Sequence, residues 1–190
     1  MIRVPLLIIF SVLLGTLSLG AASMPFITSS LYPGYTPQTQ RTDPRLDGIW
    51  AEEYLGEIAI VSLPDGGYHV RPNGGGMLSL LDLTFKARLF QIQHAMFVDL
   101  VPSGATFKDL YPADSHCFAV VRIDGRSLFL TLLDPAFVAA QVRGYPRKLN
   151  FVEYRNGLLL AEPTAVLEKV LMEIAVKPGS AYDTYHFIRR

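Results

Sequence analysis

From Leu46 onward the chain is cut into short apolar runs by turn residues, and few architectures can be built from such a sequence. Glu57 to Leu63 ends at Pro64-Asp65-Gly66-Gly67, whose glycines supply the positive φ of a tight turn, and Tyr68 to Arg71 answers it as a hairpin partner. Pro72-Asn73-Gly74-Gly75-Gly76 is the next break, and Leu78 to Leu89, Met96 to Val101 and Cys117 to Ile123 follow as strands. Asp124-Gly125 is a two-residue hairpin signal leading into Leu128 to Leu133. Asn150 to Tyr154 and Leu158 to Ala161 read as another hairpin around Arg155-Asn156-Gly157, and the tail Tyr182 to Ile188 as an edge strand. Strands at this spacing predict a mainly β (β+α) fold, a meander curling into a barrel or a sandwich.

Two short helices interrupt the strands. Asp134-Pro135 supplies an N-cap and a first-turn proline, and Gly144 and Pro146 stop the segment. The second helix runs from Thr164 to about Val176, with Val166, Leu167, Val170, Leu171 and Ile174 on one stripe. Such a stripe must cover a face of the sheet or plug an end of a barrel.

The N-terminus has a different character. Arg3 precedes an apolar run from Val4 to Leu19, and small residues follow at Gly20-Ala21-Ala22-Ser23. That layout predicts a signal peptide over residues 1–23, cleaved after Ala22 or Ser23, or else an N-terminal anchor helix formed by residues 4–23. The expected location is therefore extracytoplasmic (periplasmic or secreted), with possible anchoring in the inner membrane. Residues 24–44, with Pro25, Pro33, Pro37 and Pro44 among Ser, Thr, Gln and Tyr, read as a flexible linker, leaving 45–190 as the barrel-like domain with its C-terminal helix. The whole chain has 17 basic and 17 acidic residues, with no like-charge block, which excludes a nucleic-acid partner.

The chemically capable residues do not assemble into a motif. Cys117 is the only cysteine, in Cys117-Phe118-Ala119-Val120-Val121, and reads as a small buried hydrophobe. His116 and Cys117 adjoin, but neighbours in a strand point to opposite faces, and in an extended Asp114-Ser115-His116 the serine points away from the other two. His69, His94, His116 and His186 lack metal-ligand spacing, so the metal, cofactor and catalytic assignments are all none. Glu52, Glu53 and Glu57 cluster near Trp50 without a readable partner geometry. Asp99, inside Phe97-Val98-Asp99-Leu100, must find a donor, point outward or line a cavity; a backbone N–H, Arg88 or Arg122 is its expected partner. Gly74-Gly75-Gly76 lacks the Gly-Lys-Ser/Thr of a phosphate loop and reads as a strand connection.

Leu46-Asp47-Gly48-Ile49-Trp50 resembles the opening of lipocalin-like barrels, in which a Gly-x-Trp begins the first strand and the indole closes one barrel end. Together with Asp65-Gly66-Gly67-Tyr68, Phe97-Val98-Asp99-Leu100, Arg122-Ile123-Asp124-Gly125, Leu128 and Leu133-Asp134-Pro135, it resembles small uncharacterised bacterial exported (envelope) proteins. This chain departs from them in lacking a lipid-attachment cysteine at the signal exit. The resemblance implies a barrel with Trp50 buried at one end, and it implies no activity. Alternation places Leu81, Leu83, Phe85, Ala87 and Leu89 on one inward face and Cys117, Ala119, Val121 and Ile123 on another, with small residues leaving room between them. The expected function is a non-enzymatic binding module for a small apolar ligand or an envelope protein partner. A membrane-tethered structural or assembly accessory and an extracytoplasmic hydrolase are the alternatives.

Overall fold

A computed structural model describes residues 27–80, 82–103, 115–145, 149–154, 157–175, 177 and 181–190. Residues 1–26, Leu81, Asp114, Pro146, Arg155, Asn156 and Val176 lie outside the described residues. In chain order the strands are β1 (Ile27–Ser30), β2 (Gln40–Arg41), β3 (Gly48–Glu52), β4 (Gly56–Ser62), β5 (Tyr68–Pro72), β6 (Phe85–Ile92), β7 (Ala95–Pro102), β8 (His116–Asp124), β9 (Ser127–Leu133), β10 (Phe151–Tyr154), β11 (Gly157–Leu160) and β12 (Ala181–Arg189). The helices are α1 (Met77–Leu80), α2 (Pro135–Arg143) and α3 (Thr164–Ala175), and a 3-10 turn spans Pro44–Leu46.

Eight strands close on themselves in the order β8-β7-β6-β5-β4-β3-β12-β9, antiparallel throughout, with β9 returning to β8. The closing strand is the C-terminal tail. Read from sequence as an edge, β12 pairs with β9 on one side and β3 on the other. Its alternation reflects one face turned into a barrel, which a strand with two neighbours shows as clearly as one with a single neighbour.

Residues 27–44 correct the expectation of a flexible linker. β1 runs parallel to β11 and antiparallel to the first residues of β8, and Thr28, Ser29 and Ser30 are buried. The chain then turns back along the barrel wall, where β2 pairs with β6. Gly34 makes that approach possible, since a Cβ there would stand 2.6 Å from Phe118 and 2.9 Å from Phe90. Serine and threonine carry no apolar period, yet a central strand is held by its backbone ladder, and hydroxyls such as Ser29 bond a neighbouring carbonyl (Leu158 O, 3.2 Å).

Pleating separates two cores. Trp50, Ile58, Ile60, Tyr68, Leu89, Val98 and Phe187 point into the barrel. Phe90, Phe97 and Phe118 point outward and pack on one another, Phe90 and Phe97 stacked at 5.2 Å and Phe90 edge-on to Phe118 at 6.4 Å. Leu167, Val170, Leu171 and Ile174 of α3, together with α2, β10 and β11, build the second core on that aromatic wall. The α3 stripe thus covers a face and does not plug an end. Asp134 caps α2 as its sequence predicts, its carboxylate accepting from the Ala136 N–H at 2.8 Å.

Two local readings differ from the structure. The run from Leu78 to Leu89 is not one strand: α1 occupies its beginning and β6 starts at Phe85. Asp124 pairs with Ser127, so the two hairpin-loop residues are Gly125 and Arg126, one position later than Asp124-Gly125.

Candidate functional site: the barrel interior

The two barrel ends are built differently. At one end the 3-10 turn crosses beneath β3, and the Trp50 indole N–H donates to the Leu46 carbonyl at 2.7 Å. Arg189 of β12 lies over the Trp50 ring at 5.6 Å and donates to the Asp47 carbonyl at 2.5 Å. Trp50 is fully buried. Tyr68 belongs to the same end: its hydroxyl accepts from the Asp43 N–H at 2.7 Å and lies 3.2 Å from the Asp43 carbonyl. Burial raises the Tyr68 phenol above its ordinary range. This end is closed.

The opposite end is where the β3–β4 turn, the β5–β6 connection and the β7–β8 connection leave the wall. Here α1 lies across the mouth, with Met77 and Leu78 against the interior. Asn73 donates to the Glu57 carbonyl at 2.9 Å and Leu78 to the Leu55 carbonyl at 3.2 Å. Gly76 and Gly56 meet backbone to backbone: a Cβ on Gly76 would stand 2.6 Å from both the Gly56 Cα and the Leu55 carbonyl. The triple glycine is therefore the strap of a lid, a role that a strand connection alone does not suggest. The Glu52 carboxylate fastens the neighbouring turn, accepting from the Tyr54 and Leu55 amides.

Between these ends the barrel holds a cavity of about 160 Å³. Leu83, Phe85, Ala87 and Leu89 line it from one side and Cys117, Ala119 and Val121 from another, as alternation predicts. Ile123 packs on the same interior cluster. Among the described residues no charged side chain lines it. Burial, reinforced by the nearby Asp99 carboxylate, pushes the Cys117 thiol up to about 12. A protonated thiol in apolar surroundings is a poor nucleophile and metal ligand.

The remaining candidate residues are dispersed. His116 points out of the barrel, away from Cys117, and its Nδ1 lies 2.8 Å from the buried Asp99 carboxylate. Asp99 also accepts from the Gly34 N–H at 3.0 Å. One expected partner of Asp99, a backbone N–H, is present, but the second is His116, and neither Arg88 nor Arg122 takes that place. Arg88 instead pairs with Asp65 at 2.5 Å, and Arg122 lies over the Phe129 ring at 3.9 Å. His94 sits in the β6–β7 turn, and His186 stacks on Phe129 at 4.5 Å with its Nε2 3.0 Å from Ser127 Oγ. Among the described residues no group of three or more His, Cys, Asp or Glu side chains could hold a metal ion. No helix among them is long and apolar enough to cross a membrane.

The Asp99–His116 pair could not be read from sequence, because the two residues become neighbours only through the β7–β8 register. No protein-family model matches the chain, and the searches of curated proteins and of solved structures returned no match either.

Proposed function

We propose that this chain is an exported, non-enzymatic, lipocalin-like barrel that binds a small apolar molecule in its interior. The observation that supports it is the cavity of about 160 Å³, lined by no charged side chain among the described residues and covered by a lid whose inner face is Met77 and Leu78. A dry apolar cavity of ~150 Å³ is known to take up a benzene-sized guest, so the space suits a small ring or a short alkyl segment. A polar or charged group placed there would lose its water without a matching partner, which disfavours a hydrophilic ligand. The Trp50 end and the closed eight-strand ring support the lipocalin-like reading. The leader sequence supports export.

Titration with an environment-sensitive apolar dye tests the binding claim. Saturable binding at about one dye per chain is expected, and Ala119→Phe should abolish it by filling the space while near-ultraviolet circular dichroism stays folded. Non-saturable binding, or unchanged binding in Ala119→Phe, would overturn the reading. A C-terminal reporter active only outside the cytoplasm tests export separately.

A further inference from the structure

We propose that Asn73-Gly74 is a self-modification site, whose deamidation puts a carboxylate into the strap and releases the lid over the barrel mouth. In an Asn-Gly pair the glycine nitrogen closes a five-membered ring on the asparagine Cγ, and glycine has no side chain to obstruct that approach. Gly74 is open even for a glycine: its φ is +122°, and nothing stands within 4 Å of where a Cβ would be. Among the described residues no acceptor takes its N–H, whereas the Asn73 and Leu78 N–H groups on either side are bonded to the Glu57 and Leu55 carbonyls. The nitrogen that must attack is thus the free one in a strap pinned at both ends. An outer groove of about 630 Å³, lined by Glu52, Glu53, Glu57, Arg190, Gly75 and Gly76, brings water to the same place.

The reaction needs water alone. The Gly74 nitrogen gives up its proton and bonds to Asn73 Cγ, the Cγ–Nδ2 bond breaks, and Nδ2 leaves as ammonia. Water then opens the succinimide. Attack at Cγ restores the main chain with an aspartate side chain, and attack at the main-chain carbonyl gives isoaspartate. Either way one amide and one water become one carboxylate and one ammonium, with no change of oxidation state.

The product is badly placed for a closed lid. Asn73 Nδ2 donates to Glu57 Oε2 at 3.4 Å, while Glu57 Oε1 accepts from Arg190 Nε at 3.1 Å. Both products exchange that donor for an anion beside Glu57, in a groove that already carries Glu52 and Glu53, and like charges so placed repel. Isoaspartate also adds a methylene to the main chain, between the Asn73 bond to Glu57 and the Gly76–Gly56 contact. A freshly made chain is therefore closed and an aged one open. The effect on ligand exchange rests on the reading of the cavity as a binding site; the modification and the loosening of the lid do not.

The test ages the full chain at pH 8 beside Asn73→Gln, which keeps an amide but closes a ring far more slowly, and compares both with fresh Asn73→Asp. Peptide mapping by mass reads conversion of amide to acid at Asn73 separately from Asn156-Gly157, the other Asn-Gly pair of the chain. Hydrogen exchange at the Leu78 amide reads the lid. The expected result is conversion at Asn73 in the folded chain, with Leu78 exchange severalfold faster in the aged wild type and in Asn73→Asp. Ageing should not change it in Asn73→Gln, and apolar dye should enter and leave faster in proportion to conversion. An Asn73 that stays an amide in the folded chain while the urea-unfolded chain converts overturns the site. Conversion with Leu78 exchange unchanged, or equal quickening in aged Asn73→Gln, overturns the opening. Quickened Leu78 exchange with no dye binding at all overturns the cavity reading and leaves this inference standing.

Discussion

Trp50 is enclosed by its own barrel: Leu46 accepts its N–H, and Arg189 covers its ring with a guanidinium that also ties β12 to the chain below β3. Removing a side chain so placed costs ~3–5 kcal/mol, so Trp50→Ala should lower the urea midpoint by an amount comparable with the stability of many domains. Trp50 is the only tryptophan, and its emission in the native protein should be blue-shifted and resist aqueous quenchers. Cys117 gives a second, pH-dependent prediction. Burial pushes its pKa from the ordinary 9.0 up to about 12, so in that window the folded chain holds a proton the unfolded chain has released. Stability therefore falls as pH rises from 9 towards 12, with a slope of up to ~1.4 kcal/mol per pH unit from this group. Urea titrations of the wild type and Cys117→Ala across that range should converge as pH rises. A thiol-specific alkylating reagent at pH 8 should modify the unfolded chain and spare the folded one. Asp99 is the third residue of this kind. Asp99→Ala strands the buried Gly34 N–H, worth roughly 1–3 kcal/mol, and leaves the part-exposed His116 ring to water, so a drop of that size in urea stability is expected.

At the level of elements, legibility followed locality. The caps of α2 and the stripe of α3 are written in consecutive residues, and both helices lie where those signals put them. Inward alternation in β6 and β8 was equally readable, since which face a side chain takes depends on a period of two. β1 was not readable. Its Ser and Thr residues are a strand only because β8 and β11 flank them, and neither partner is near it in sequence. α1 was hidden for a related reason: Met77-Leu78-Ser79-Leu80 is apolar enough for a strand, and its turn is fixed by the Gly56–Gly76 contact and the Leu55 carbonyl. That contact predicts how the lid responds to substitution. Gly76→Ala places a methyl into the Leu55 carbonyl at a φ of +110°, which a side chain rarely adopts. The lid should detach while the barrel stays folded. Hydrogen exchange at the Leu78 amide should quicken severalfold with amides in β7 and β8 unchanged, and apolar dye should both enter and leave the cavity faster.

For the molecule as a whole, β6, β7 and β8 each serve both cores, and β8 alone of the three also holds β1. Ala119 and Val121 face the barrel interior, Phe118 faces the helical layer, and the first two residues of β8 hold β1. A barrel or a sandwich was foreseeable from strand count and spacing, because a meander of this length has few ways to satisfy its edges, and pairing of β9 with β8 decides for the barrel. The second layer was not, since its site is the outward set Phe90, Phe97 and Phe118, and outward positions of a barrel are expected to face water. Phe118 stands in Cys117-Phe118-Ala119-Val120-Val121, apolar on both faces, but Phe90 and Phe97 stand in strands that also carry Lys86, Arg88, Gln91 and Asp99, so the sequence marks the outer face as buried only in β8 and does not show what covers it. Sharing these strands makes the two cores energetically one unit. Phe118→Ala, made in the outer layer, should cost ~3–5 kcal/mol and loosen the barrel with it. Far-ultraviolet circular dichroism, which sees the helices, and Trp50 emission, which sees the closed barrel end, should give coincident urea transitions in the wild type and in this variant, both shifted together. If the far-ultraviolet transition alone moves to lower urea, the helical layer unfolds independently and the shared strands do not couple the cores. With coincident transitions, filling the cavity stabilises the whole molecule: apolar ligand at a hundred times its Kd should add about 2.7 kcal/mol to both probes alike.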